Sequence, residues 1–442
     1  MAVSPFDSAI YRDLFHDAEV GKLFTDSAEI RAMVLVEGAL ALAQGELGLI
    51  PAQSADFIHR ASLEIQIDPA GLSEETGQSA VVVPALVKAF RKLMDAPEHA
   101  QYVHWGATSQ DIIDTALMLR LRQVLSLLDA RLVGVIRALG ALAGAHADLP
   151  MAARTWGQNA TPTSFGAVVT SWGAPLLTHR LRLQELRPRL LRLSFSGAAG
   201  TLSVIGDKAP ALRAALARAL KLEESTHSWH SCRDGIAEFS GWMTLLTGSL
   251  GKMGEDLLLL TQSGIDEVTL ALGGGSSTMP QKSNPVLPSL LVALARQVAA
   301  LNAALQGAML HRQQRDGAAW MVEWMSLGQV CMASARALSA ADTVAGTVIP
   351  DPIAMARHLD DGSGLIYAEA LSFALGSNMP RPEAQAAVKD LCQTVKATGS
   401  SLRELAEARW PDIEFGPIFA ATEQMGQAPQ EARDFARMSK LI

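Results

Sequence analysis

Between residues 273 and 285 the chain reads Gly273-Gly274-Gly275-Ser276-Ser277-Thr278-Met279-Pro280-Gln281-Lys282-Ser283-Asn284-Pro285. Three consecutive glycines permit backbone shapes closed to other residues. Such a segment can aim successive N–H groups at an anion. Lys282 adds a fixed positive charge, and Asn284 offers both a donor and an acceptor. Pro285 suits the first position of a following helix. A hydroxyl pair beside a lysine and a helix N-terminus can hold a carboxylate and move a proton. The competing reading is a flexible, capped connection, because Gly/Ser loops are common.

Other motifs that carry chemistry are missing. The sequence has no Gly-x-x-x-x-Gly-Lys-Ser/Thr, no Gly-x-Gly-x-x-Gly, no Gly-x-Ser-x-Gly and no His-Glu-x-x-His. Nucleotide hydrolysis, hydride transfer, serine hydrolysis and zinc proteolysis therefore have no support. Cys232, Cys331 and Cys392 are too far apart for a metal-type spacing and odd in number, which fits a reducing, cytoplasmic compartment. No metal or cofactor is expected. The first residues lack a basic region followed by an apolar run, so no secretory signal is expected.

The elements that must position this loop are long helices. From Thr115 to about Ala147 apolar residues recur at three- and four-residue steps: Leu117, Leu121, Val124, Leu128, Leu132, Val135, Leu139 and Leu142. Similar helices are expected over about Thr163–Leu193, Gly235–Gln262, Pro288–Gln313 and Trp320–Val348, the second of the five bending at Gly173 and Pro175. Strand-like alternation is nearly absent, Ser79–Val83 being the one weak candidate. The fold class is all-α, around a central bundle of long helices. Breaks in the pattern divide the 442 residues into three domains: an N-terminal helical domain (residues 1–109), a long-helix bundle (residues 110–350) and a C-terminal helical domain (residues 351–442).

Composition narrows the partners. A net charge of −8 and 5% aromatic residues argue against nucleic acid and anionic membrane surfaces. Hydrophobic residues make up 49% and charged residues 19%, so disorder is excluded as the main state. The shortfall against the roughly 25% charge of average proteins implies surface buried between subunits. The weakly charged stretch Val286–Leu310 carries Arg296, Gln297, Asn302 and Gln306 on more than one face, and reads as a buried helix rather than a membrane span.

Three stretches together carry a family resemblance. Gly275-Ser276-Ser277-x-Met279-Pro280-x-Lys282-x-Asn284-Pro285 resembles the hallmark of the fumarase/aspartase superfamily. His104-Trp105-Gly106-Ala107-Thr108-Ser109-Gln110-Asp111 and Arg154-Thr155-Trp156-Gly157-Gln158-Asn159-Ala160-Thr161-Pro162-Thr163 resemble its other blocks. Within it the chain is similar to the 3-carboxy-cis,cis-muconate cycloisomerases, which carry tryptophan where the lyases usually carry a proton-transferring histidine. Segments 162–166, 185–190 and 229–234, and Arg315 with Trp320, Glu323 and Trp324, agree. Two positions depart from the pattern. Asn159 stands where cycloisomerases often have histidine, and the segment 267–272 is shorter than in many relatives.

The resemblance implies an enzyme of aromatic-acid catabolism with a small tricarboxylate substrate, acting through an enolate-like intermediate. It also implies a homotetramer whose active sites combine blocks from three subunits. A fumarate-releasing lyase and a non-catalytic helical scaffold are the competing readings. Ser276 would exchange the proton at carbon, its alkoxide eased by backbone N–H groups and Lys282; the alternative is a loop-capping serine. Ser277, Lys282 and Asn284 would bind substrate carboxylates, against a solvated lysine and an N-cap. Thr108 and Ser109 would donate to another carboxylate, although Thr108-x-x-Asp111 also reads as a capping box. Arg154 and Arg315 are candidate carboxylate forks, with bundle salt bridges as the alternative. His230 would line the pocket as a donor or pack as a neutral imidazole. Trp156 would form an apolar wall or join the core. His104 would orient the loop before the first long helix. The remaining histidines, His16, His59, His99, His146, His179, His227, His311 and His358, are expected on surfaces.

Overall fold

The structure, a computed structural model, describes residues 4–271, 273–275 and 278–442. Five long helices dominate: α1 (Ser109–Ala145), α2 (Phe165–Leu190), α3 (Asp234–Leu260), α4 (Val286–Gly307) and α5 (Gly317–Ala345). Each expected long helix is present, with ends shifted by a few residues. Helix α2 runs unbroken through Gly173 and Pro175. Gly173 is there for space: a Cβ on it would lie 2.1 Å from Cζ of Phe435.

Short strands punctuate the helices: β1 (Pro150–Thr155), β2 (Gln158–Ser164), β3 (Val268–Leu270), β4 (Gly274–Gly275), β5 (Ser283–Asn284) and β6 (Val348–Pro350). They form three antiparallel pairs, β1 with β2, β3 with β6 and β4 with β5. The strand expected at 79–83 is absent. Ser73–Ser79 is helical, and Val83–Met94 starts a helix with proline in its first turn. Pro84 favours a helix start, which overrides the β-branched run of Val81, Val82 and Val83.

The chain divides into two compact units. The first comprises 1–130, 179–247 and 294–337, the second 131–178, 248–293 and 338–442. In the first unit Leu121, Val124, Leu128, Phe239, Met243 and Val298 are fully buried. Helices Asp26–Glu46 and Ala52–Glu64 approach closely there, because a Cβ on Gly38 would fall 1.9 Å from Oγ of Ser62. That contact places Glu37, itself buried, beside the segment preceding α1.

In the second unit Leu132, Val135, Leu139, Phe165, Leu176 and Leu257 form the interior. The Trp172 indole N–H donates to Asp256 at 2.6 Å. The C-terminal end of this unit carries a cluster of its own, with Leu371, Leu375, Val388, Leu391, Leu402 and Phe415.

Helix α4 is the one described helix long and apolar enough to cross a membrane, and 28% of its most apolar window is buried within the chain. Leu290, Leu291, Leu294 and Val298 make its inner face, while Arg296 and Gln297 are exposed. The expectation that the scattered histidines lie on surfaces fails at His179, which is 4% exposed. Burial, and then the neighbouring Arg182, push its imidazole down to about 4.

Candidate functional site

In the first unit the resemblance residues gather at the N-terminus of α1. The Thr108 N–H donates to Oδ2 of Asp111 at 3.0 Å, which is the reach-back half of a capping box. Asp111 does more than cap. Its Oδ1 accepts the Ser196 N–H at 2.7 Å and His230 Nε2 at 2.9 Å, and its Oδ2 also accepts the Gly197 N–H at 2.9 Å. A buried carboxylate with four donors is well satisfied. The hydroxyl-bearing residues Thr108 and Ser109 are half-buried at this helix start.

His230 is 2% exposed. The ring is tied to Asp111 in the interior of this unit. Arg315 is exposed, and its Nε donates to Oε1 of Gln110 at 2.7 Å. Beneath these residues Arg233 is fully enclosed. It pairs with Asp114 at 2.7 and 3.1 Å and with Glu323 at 2.9 Å, and lies over the Trp229 ring at 4.8 Å. Burial disfavours this guanidinium charge, but the two carboxylates outweigh it and raise its pKa.

His104 adopts φ 64, unusual for a residue with a Cβ. Its Nδ1 is 2.7 Å from Oε1 of Glu37. Burial lowers its affinity for a proton, yet the Glu37 charge and hydrogen bond outweigh that and leave it above the ordinary 6.5. A cavity of about 840 Å³ in the same unit, lined by Phe24, Met33, Leu117, Arg120 and Trp324 among others, holds none of the expected site residues. Arg120 there already faces Glu29 at 3.4 Å.

The second unit holds the other two blocks. Strands β1 and β2 form a hairpin whose two-residue turn is Trp156-Gly157, at φ 55 and 74. Positive φ at both positions matches the twist of a tight hairpin, and glycine supplies it without strain. Tryptophan does not, so Trp156 is strained. It is also completely exposed, at 101%. The core-packing alternative for Trp156 is thereby corrected.

Arg154 on β1 is held by Glu267, Nη1 to Oε2 and Nη2 to Oε1, both at 2.7 Å. The Glu267 side chain has no exposed surface. The hydrogen bond to Glu267 outweighs burial and raises the Arg154 pKa. Both Nη groups of the Arg154 guanidinium thus have a partner within the chain. Asn159 donates through Nδ2 to the His358 carbonyl at 3.0 Å.

The glycine-rich loop leaves and returns through β4 and β5, with Gly274 opposite Asn284 and Gly275 opposite Ser283. A Cβ on Gly274 would lie 2.6 Å from Cγ2 of Val286. Clearance for the returning chain is therefore a reason for glycine at this position. Ser276 and Ser277 lie outside the described residues. Lys282 is exposed, and its N–H donates to the Met279 carbonyl at 3.0 Å. Asn284, half-buried, belongs to β5. The Ser289 N–H bonds the Pro285 carbonyl at 3.1 Å, and α4 starts at Val286. Pro285 thus stands one residue ahead of its expected position, and Asn284 is not the helix N-cap.

Sequence reasoning missed Gln110, Glu267 and Glu37 as partners, and saw Asp111 only as a capping residue. In the first unit Arg315 supplies a cation and Thr108 and Ser109 neutral donors; in the second, Lys282 supplies a cation and Asn284 a neutral donor, each a group that binds anions. Among the described residues no cluster of three or more His, Cys, Asp or Glu could hold a metal ion.

Comparison with known proteins adds the following. A family model described as Lyase matches residues 16–300. The 3-carboxy-cis,cis-muconate cycloisomerase of Pseudomonas aeruginosa is 38% identical over 394 residues, covering 88% of this chain and 86% of that one. The crystal structure of the 3-carboxy-cis,cis-muconate lactonizing enzyme from Pseudomonas putida matches with a TM-score of 0.91 at 34% identity, covering 98% of this chain and 99% of that chain. Trans-aconitate decarboxylase 1 of Mycosarcoma maydis is 35% identical over 386 residues, covering 86% of this chain and 78% of that protein.

Proposed function

The chain belongs to the fumarase/aspartase lyase family, and from that premise we propose that it interconverts 3-carboxy-cis,cis-muconate and 4-carboxymuconolactone. The observation that carries this reading is Trp156, fully exposed at the tip of the β1–β2 hairpin in a strained backbone conformation. Strain at an exposed bulky residue persists where the position has a use other than stability. An indole N–H does not release a proton near neutral pH, so this position supplies a surface and not a general acid.

Lactonisation needs no acid at that place. The nucleophile is a carboxylate of the substrate itself, already anionic and tethered to the carbon it attacks. As its oxygen bonds to the alkene carbon, the π-electron pair moves to the adjacent carbon and onto that carbon's carboxylate. Ser276 delivers a proton there, and solvent restores the hydroxyl. In reverse the Ser276 alkoxide removes the same proton and the C–O bond breaks. Lys282 lowers the cost of the alkoxide. Ser277, Asn284, Thr108, Ser109 and Arg315 hold the carboxylates, and Trp156 covers the apolar face of the diene. The sites are assembled between copies of the chain in a homotetramer, which gives the exposed Trp156 a place to insert. The reaction needs no cofactor.

The test is an ultraviolet assay of purified protein with 3-carboxy-cis,cis-muconate. Loss of the diene absorbance with lactone formation is expected. Release of fumarate from an adenylosuccinate- or argininosuccinate-type substrate, with no lactone formed, overturns the reading.

A further inference from the structure

We infer that Gln110 is the positioning residue for Arg315, gripping its guanidinium along one edge so that the end-on pair of N–H groups meets a substrate carboxylate. The inference rests on the proposed role of Arg315 in substrate binding.

Gln110 has no exposed surface. Its Oε1 accepts the Arg315 Nε–H at 2.7 Å, and its Nε2 donates to the His230 carbonyl at 2.9 Å. A guanidinium only donates and a carbonyl only accepts. The amide is therefore locked in one orientation, oxygen toward Arg315. On the same edge of the guanidinium, Nη2 donates to the Ala198 carbonyl at 3.3 Å. Ala198 is itself restrained, because the preceding Ser196 and Gly197 N–H groups bond Asp111.

A guanidinium can receive a carboxylate along its Nε/Nη2 edge or at its Nη1/Nη2 end. Here the first is taken up by Gln110 and Ala198, which leaves the end. Arg315 lies in the connection between α4 and α5, where a long side chain is otherwise free to rotate. Gln110 removes that freedom before substrate arrives, which is preorganisation. Glutamate at this position would keep the acceptor but neutralise Arg315 and lose the donor to His230. Asparagine would be one methylene too short.

The experiment is a double-mutant cycle of Gln110→Leu and Arg315→Ala. It is read by calorimetric binding of tricarballylate, a tricarboxylate with no diene to react, and by KM and kcat for the muconate. Gln110→Leu is expected to weaken tricarballylate binding and raise KM about tenfold, the loss of a hydrogen bond to a charged group. The kcat should stay within about twofold, since binding and not the chemical step is affected. In the Arg315→Ala background Gln110→Leu should add nothing. Additive effects, or an unaltered KM in Gln110→Leu beside a weakened Arg315→Ala, overturn the inference and leave the role of Arg315 standing. Unaltered binding in Arg315→Ala removes that role, and the inference with it. If Gln110→Leu does not fold, Arg315→Ala with Gln110 in place provides the check. Added guanidinium ion should restore tricarballylate binding there, and no recovery contradicts the inference.

Discussion

Oδ1 of Asp111 lies 2.9 Å from Nε2 of His230, and neither side chain has more than 2% of its surface in contact with solvent. The same carboxylate accepts three backbone N–H groups, from Thr108, Ser196 and Gly197. It joins the start of α1 to two segments far along the chain. Asp111→Asn replaces one acceptor oxygen with a donor that meets N–H groups. The expected cost is about 3 kcal/mol, as for breaking a buried charged hydrogen-bonded group. Urea unfolding checks this; a loss under about 1 kcal/mol would mean the carboxylate is dispensable to the fold.

Glu267 is the sole holder of the Arg154 fork found among the described residues, through two bonds of 2.7 Å. Glu267→Gln keeps the shape but loses the charge and one acceptor. The expected result is faster amide exchange across β1 and β2 and a destabilisation of about 2 kcal/mol. Arg154→Lys should behave similarly, because an ammonium cannot reproduce the planar fork.

Trp156 combines full exposure with φ 55. Trp156→Gly relieves the backbone strain and removes no packing within the chain. Subunit stability should therefore change by about 0.5 kcal/mol or less, as at other surface positions, while kcat/KM for the muconate falls. Calorimetric unfolding and the diene assay measured on one preparation distinguish the two effects.

Two histidines, His179 buried and His104 half-buried, give opposite pH dependences. His179 is held down to about 4 from 6.5, mainly by burial. As pH falls from 6.5 to 4 the unfolded chain takes up a proton that the folded chain refuses, so stability is lost on the acid side. His104 is held above 6.5 because Glu37 outweighs its burial. Its contribution is present in full below about pH 6.5 and is lost as pH rises through its raised value. His179→Gln should flatten the acid limb and Glu37→Gln the neutral-to-alkaline limb in unfolding titrations. An unaltered acid limb in His179→Gln would contradict the first assignment.

The long helices are legible in the sequence because their signal is local: apolar residues three and four apart fall on one face and need no knowledge of partners. The β1–β2 hairpin is not. Its turn is Trp156-Gly157, not the asparagine-glycine that marks such turns, and Pro162 interrupts its second strand. The Arg154–Glu267 pair joins positions 113 residues apart, and no spacing rule finds it. The sequence alone therefore shows Arg154 without this partner. Gln110 and Asp111 are visible within a family block, but their bonds to Arg315, His230 and the 196–197 turn are tertiary. His179 escapes a sequence reading because a polar residue on a long helix ordinarily faces solvent, and only the packing around α2 shows otherwise.

The central proposal is that Ser276 moves the proton at the reacting carbon while Lys282 and Asn284 stabilise the charge. Steady-state turnover of 3-carboxy-cis,cis-muconate by Ser276→Ala tests it most directly, alongside thermal unfolding of the same variant. The account predicts a loss of about a thousandfold in kcat, in the range for removing a proton-transfer group, with unfolding unaltered. Turnover within about twofold of the unmodified protein, a difference too small for loss of transition-state stabilisation, would contradict it.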